Sequence, residues 1–168
     1  MNRRLVLALT VALAALAAGQ AGAQAPAPAG KLLFVYDEEN KYSAPYIQHF
    51  RAELKAAGLA FDESSAEGLK GKDLSSYDRI LAYAIVQAFA MKEPLRDWLG
   101  SNPDLGGKKV SLFVTANRWS LAKLFGQLQG WLKQDGAQVI DAVSMATKDV
   151  SDTAKGEAVS RFVAGLAH

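Results

Sequence analysis

The sequence predicts an α/β protein of three layers, a parallel sheet covered by helices on both faces. Three observations carry that expectation. Continuous apolar runs recur along the chain, as strands buried on both faces require. Stripes of helical period separate them. The two kinds of segment alternate rather than cluster, which is the pattern of βαβ units.

Leu32-Leu33-Phe34-Val35-Tyr36 is the first such run, a central strand. Ser43 is placed to cap the next helix, with Pro45 in its first turn. Ile47, Phe50, Leu54 and Ala57 recur at helical spacing, and Gly58 stops the helix. Leu59 to Phe61 reads as a short edge strand, and residues 62–76, polar and holding Gly68 and Gly71, as a loop or broken turn. Arg79 to Ile85 is the next buried strand. Glu93 to Leu99 reads as a short helix burying Leu95, Trp98 and Leu99. After the punctuated stretch 101–107, Val110 to Thr115 is a third buried strand. Ser120 is read as the cap of a long helix running to Asp135, striped by Leu121, Leu124, Phe125, Leu128 and Leu132 and stopped by Gly136. Gln138 to Val143 is the last strand. Ala158, Val159, Phe162, Val163 and Leu166 line a closing helix.

Before the domain stand two segments of different character. Residues 1–23 follow the pattern of a signal peptide: Arg3 and Arg4, the apolar run Leu5 to Ala18, and a small-x-small site at Ala21-Gly22-Ala23. The run is short for a membrane span, although an uncleaved anchor is the alternative. Asn2-Arg3-Arg4-Leu5-Val6-Leu7 loosely resembles a twin-arginine motif; the very short cationic region and strongly apolar run favour an ordinary secretory leader. Residues 24–30, rich in Ala, Pro and Gly, read as a flexible linker, and residues 31–168 as one domain. The expected location is periplasmic or secreted, with no membrane span in the mature form.

Composition then excludes whole classes of chemistry. The chain has 168 residues and no cysteine, so disulfides, thiolate nucleophiles, thiolate-held metals and iron–sulfur clusters are out. Loss of the leader removes two of the 19 basic residues, and the remaining 17 balance the 17 acidic ones. Neutrality argues against a nucleic-acid partner, which demands a cationic face.

Three strings bring in a family. Leu74-Ser75-Ser76-Tyr77-Asp78-Arg79-Ile80 looks like the "L-x-x-Y-D-x-I" that leads flavodoxins and flavodoxin-like quinone reductases into strand three. Residues Met91 to Leu99 are similar to the segment that follows the strand-three flavin loop. Leu105 to Phe113 matches "L-x-G-K-K-V-x-L-F" ahead of strand four. Residues 31–168 therefore resemble the flavodoxin-like superfamily, which implies five parallel strands in the order 2-1-3-4-5 and a ligand cleft at their carboxyl ends.

The same resemblance implies FMN, and here the chain departs from the pattern. Flavodoxins hold the FMN phosphate in a loop "[ST]-x-T-G-x-T", through backbone N–H groups and hydroxyls at a helix N-terminus. This chain has Asp37-Glu38-Glu39-Asn40-Lys41-Tyr42, with Asp37, Glu39 and Tyr42 at the hydroxyl positions and Asn40 at the glycine. Carboxylates there repel phosphate. Lys41 and Ser43 offset part of the repulsion, and Asn40 is read as the residue best suited, after glycine, to a left-handed backbone. Asn40, Lys41, Tyr42 and Ser43 are thus the candidate phosphate neighbours. Ala84 and Phe89 after strand three, and Thr115, Asn117 and Trp119 after strand four, are the candidates around the ring. Phe89 and Trp119 serve equally as covers for the top of the sheet.

Other sites are weaker. The start of the domain also resembles a response-regulator receiver, with Thr115 and Lys148 in place of that family's Thr and Lys, but Tyr83 occupies the phosphoacceptor position. His49 and His168, the two histidines, are too far apart in sequence to argue a triad or metal centre. Asp37, Glu38 and Glu39 read as a solvated acidic loop before a cation site. The expected function is an exported flavodoxin-like protein that binds FMN or a related flat aromatic molecule for electron transfer or other redox chemistry. The alternative is a flavin-free binding or scaffold module.

Overall fold

A computed structural model describes residues 30–86, 94–101, 103–147 and 149–166. Five strands form one parallel sheet: β1 (Leu32–Tyr36), β2 (Phe61–Ser65), β3 (Arg79–Val86), β4 (Lys109–Ala116) and β5 (Gln138–Ala146). Their order is β2-β1-β3-β4-β5, all parallel, the order expected from the sequence. Four helices accompany them: α1 (Ala44–Ala56), α2 (Pro94–Gly100), α3 (Arg118–Gln134) and α4 (Asp152–Leu166).

Strand side chains alternate between faces, and the chain uses that alternation to build two different cores. On one face Leu32, Phe34, Leu81, Tyr83, Ile85 and Phe113 pack under α1 and α4, against Tyr46, Phe50, Val159 and Phe162. This core is aromatic, with the rings of Phe50 and Phe113 5.3 Å apart and nearly perpendicular. On the other face Leu33, Val35, Ile80, Ala82, Val110, Leu112 and Val114 pack under α2 and α3, against Leu95, Leu99, Leu128 and Leu132. That core is mainly aliphatic, with Tyr77, Trp98, Phe125 and Trp131 at its margin.

Four local expectations are corrected. Leu59 to Phe61 is not the second strand, because Leu59 still belongs to the end of α1. Gly58 turns left-handed (φ 68°), its N–H donates to the Lys55 carbonyl, and the Leu59 N–H reaches back to Leu54, as in a glycine-capped helix end. The strand begins at Phe61 and continues through polar residues, pairing Leu32 with Phe61 and Tyr36 with Ser65. An edge strand needs only backbone partners on one side, so Asp62 to Ser65 suffice. A short 3-10 turn, Glu67–Leu69, then buries Leu69.

Ser120 is not the cap of α3. Asn117 holds the N-cap with extended backbone (φ −63°, ψ 138°), and Ser120, inside the first turn, donates its hydroxyl to the Asn117 carbonyl. The last strand runs three residues further than expected, to Ala146, with a bulge where Val110 and Ser111 pair. The closing helix starts at Asp152, where the Ser151 hydroxyl accepts the Ala154 N–H. The Glu93 start expected for α2 lies outside the described residues, as do residues 1–29. Among the described residues no helix is long and apolar enough to cross a membrane.

Candidate functional site

The strands β1, β3 and β4 end side by side, and the chain leaves each toward a helix. A crevice outside the carboxyl ends of such strands is where open parallel sheets place their ligands.

Asp37 immediately follows β1 and is 3% exposed. Its carboxylate reaches across the sheet end. Oδ2 accepts the N–H of Ile85 at 2.8 Å and Oδ1 accepts the N–H of Leu95 at 2.7 Å. One side chain thereby ties β1 to the end of β3 and to the first turn of α2. Burial pushes its pKa up to about 6; the two backbone donors oppose that rise, and the charges of Glu38 and Asp97 add to it. The family's hydroxyl position is thus occupied by an inward-facing strut.

Glu39 turns the other way. It takes both ends of the Arg51 guanidinium, at 3.1 and 3.3 Å, while Arg51 Nε donates to Glu63 at 2.8 Å. Glu63 and then Glu39 hold the guanidinium above its ordinary pKa, against partial burial. The arginine lies on α1, so this pair binds the loop and β2 to the helix. Asp37 and Glu39, two residues apart in the acidic run, therefore face different partners. Among the described residues no group of three or more potential metal ligands gathers.

Asn40 organises what remains of the loop. Its side-chain oxygen accepts the N–H of Tyr42 at 2.9 Å and of Ser43 at 3.2 Å. Its own N–H donates to the Ser43 hydroxyl at 2.8 Å, and its carbonyl accepts the Ala44 N–H at 2.8 Å. The Ser43 hydroxyl, fully buried, donates to the Glu38 carbonyl at 2.8 Å. The left-handed backbone expected at Asn40 is not found: Asp149 is the non-glycine residue with positive φ among the described residues. An Asn side chain that accepts from the backbone two residues on forms the turn without that conformation. Ser43 is at the N-cap of α1 without capping through its side chain, because its oxygen is already engaged by Asn40.

The remaining candidates divide by depth. Ala84 is buried within β3. Thr115 is fully buried, its hydroxyl 3.2 Å from that of Tyr83 beneath the sheet end. Tyr83, where a receiver would carry its aspartate, stands in the aromatic core, and burial raises its pKa. Asn117 caps α3. At the surface stand Tyr42, 44% exposed with the Lys41 ammonium 4.9 Å from its ring centre, and Trp119, 66% exposed. Phe89 and Lys148 lie outside the described residues, as does His168. Sequence reasoning missed Arg51 and the inward turn of Asp37. An acid directly after a fully apolar strand was the available signal for the latter.

The FMN phosphate does not fit this loop as it is folded. The N–H groups of residues 40, 42, 43 and 44 all have acceptors within the loop. No residue from 37 to 43 has positive φ, so the backbone lacks the alternation that gathers successive N–H groups into an anion-binding concavity.

No protein-family model matches the sequence, and no curated protein does. Solved structures do match in shape. Oxidised Flavodoxin 2 from Bacillus cereus is 22% identical with a TM-score of 0.62, over 82% of this chain and 98% of that one. The flavodoxin of Streptococcus pneumoniae TIGR4 is 13% identical with a TM-score of 0.60, over 82% and 98%. The rubredoxin oxygen:oxidoreductase of Desulfovibrio gigas is 15% identical with a TM-score of 0.56, over 82% of this chain and 35% of that much longer one. Strand order, layer arrangement and these superpositions agree: the chain has the flavodoxin-like fold.

Proposed function

We propose that this chain is an exported flavodoxin-like protein that binds a flat aromatic molecule at the carboxyl ends of β1, β3 and β4, for redox work. One observation carries the reading. Three large hydrophobic side chains are exposed among the described residues, Tyr42, Trp119 and Ile140, and two of them sit at this rim. Tyr42 follows β1 and Trp119 follows β4. Those strands are separated only by β3, which sets the two loops roughly 10 Å apart, a spacing that a fused ring system spans. Exposed aromatic faces are costly to leave in water and offer stacking worth about 1 kcal/mol each. The redox element rests on the similar folds, one of them an oxidised flavodoxin and another an oxidoreductase. Export rests on the leader read in residues 1–23.

A specific observation favours a second reading, a flavin-free binding or scaffold module: the loop after β1 spends the N–H groups of residues 40, 42, 43 and 44 on its own acceptors. Titration separates the two. The protein purified after export is mixed with riboflavin, FMN and a naphthoquinone, and tryptophan quenching and visible absorbance are followed. Saturable binding of at least one at micromolar concentration, weakened in Trp119→Ala, is the expected result. Absence of binding by all three sinks the first reading and leaves the second.

A further inference from the structure

We propose that the loop between β1 and α1 is closed by its own side chains, so that this rim selects flat aromatic ligands that carry no phosphate. The inference rests on the rim reading above and names the chemical class of its ligand.

An anion at a helix N-terminus needs free N–H donors that converge on it. Here Asn40 supplies the acceptor from within. Its amide oxygen takes two N–H groups at the mouth of α1, those of Tyr42 and Ser43, and so stands in for an anionic oxygen. The Asn40 N–H is satisfied in turn by Ser43, and the Ser43 proton by the Glu38 carbonyl, which makes a closed circuit of four hydrogen bonds. The hydroxyl that could have served a phosphate is fully buried inside that circuit.

Competition alone does not settle the matter, because a charged acceptor outbids a neutral one for the same donor. Two further features decide it. The backbone from 37 to 43 has no left-handed residue, so displacing the Asn40 side chain does not create a converging set of donors; the loop must also refold. That refolding is opposed at two points near the start of the loop. Asp37 is tied to Ile85 and Leu95, and Glu39 to Arg51. At the loop surface Glu38 and Lys41 are both exposed, one charge of each sign, with the Lys41 ammonium held over the Tyr42 ring. A neutral ring system meets none of these obstacles.

Calorimetric titration of the exported protein with riboflavin and with FMN tests the selection. Riboflavin is expected to bind as tightly as FMN or more tightly. Tenfold tighter binding of FMN would overturn the inference and leave the rim reading standing; binding of neither flavin nor a naphthoquinone overturns both. A measurement without ligand tests the loop directly. Amide exchange of Tyr42 and Ser43 should be slowed in the free protein, and the Tyr42 protection lost in Asn40→Ala; unprotected amides in the unaltered protein refute the closed circuit. Asn40→Gly removes the internal acceptor and supplies the missing backbone freedom, and should shift the ratio of FMN to riboflavin affinity at least tenfold toward FMN. An unchanged preference in a folded Asn40→Gly protein counts against the inference.

Discussion

Two loops leave the same edge of the sheet and are built on opposite plans. After β1, Asp37 to Ser43 turn inward: a buried carboxylate grips two other elements, an arginine holds Glu39, and Asn40 closes the turn. After β4, the chain passes directly into α3, with Asn117 as its cap and Trp119 turned to solvent. The first loop spends its polar groups on the fold. The second keeps its surface for something else. The same sheet edge is thus braced by polar contacts on one side and leaves a large aromatic side chain exposed on the other.

If the first loop is structural, its removal must cost stability. Asp37→Ala leaves the Ile85 and Leu95 N–H groups buried without an acceptor, and is expected to lower unfolding free energy by about 3–4 kcal/mol in urea titrations. A loss below 1 kcal/mol would erase the contrast between the loops.

Asp37 should also give the protein a pH signature. Its folded pKa, about 6, lies above the value of 3.8 expected for the unfolded chain, so the folded state binds more protons between them. Stability from this group is therefore greatest at or below pH 4 and declines as pH rises through about 6, by about 2–3 kcal/mol. Denaturation at a series of pH values should show that decline in the unaltered protein and not in Asp37→Asn. Equal slopes would mean that the carboxylate is better solvated than its burial implies.

Smaller effects belong to the rest of the turn. Ser43→Ala deprives the Asn40 N–H and the Glu38 carbonyl of a partner and should cost about 1–2 kcal/mol, read as a fall in denaturation midpoint. Trp119→Ala marks the other extreme. With two thirds of its surface in water, its loss should change stability by less than about 0.5 kcal/mol. The same substitution should weaken binding of an aromatic ligand about fivefold, as loss of one stacking contact predicts. A Trp119→Ala protein that is strongly destabilised but binds as before would reverse the roles of the two loops.

Much of this architecture was legible from residue patterns. The apolar runs at 32–36, 79–85 and 110–115 are strands because burial on both faces leaves no room for polar alternation, and each run displays that property locally. Gly58 and Gly136 end helices by adopting positive φ, again a local matter. The second strand was misplaced because Asp62 to Ser65 carry no apolar signal; pairing with β1 makes them a strand. Asn40 was read as suited to a left-handed backbone, but its side chain makes the turn instead, which the sequence does not reveal. At Ser120 the hydroxyl suggested a cap that Asn117, three residues earlier, holds instead.

The order of apolar runs and helical stripes along the chain was enough to decide the layers and, through motif resemblance, the strand order. The layers follow from periodicities a few residues long, whereas the strand order was implied by the resemblance alone. The fate of each acid in the run after β1 was decided only in three dimensions. Asp37 meets donors 48 and 58 residues away, and Glu39 a guanidinium presented by α1. A carboxylate's character depends on whether water or protein surrounds it, and that surrounding exists only once distant strands and helices have come together.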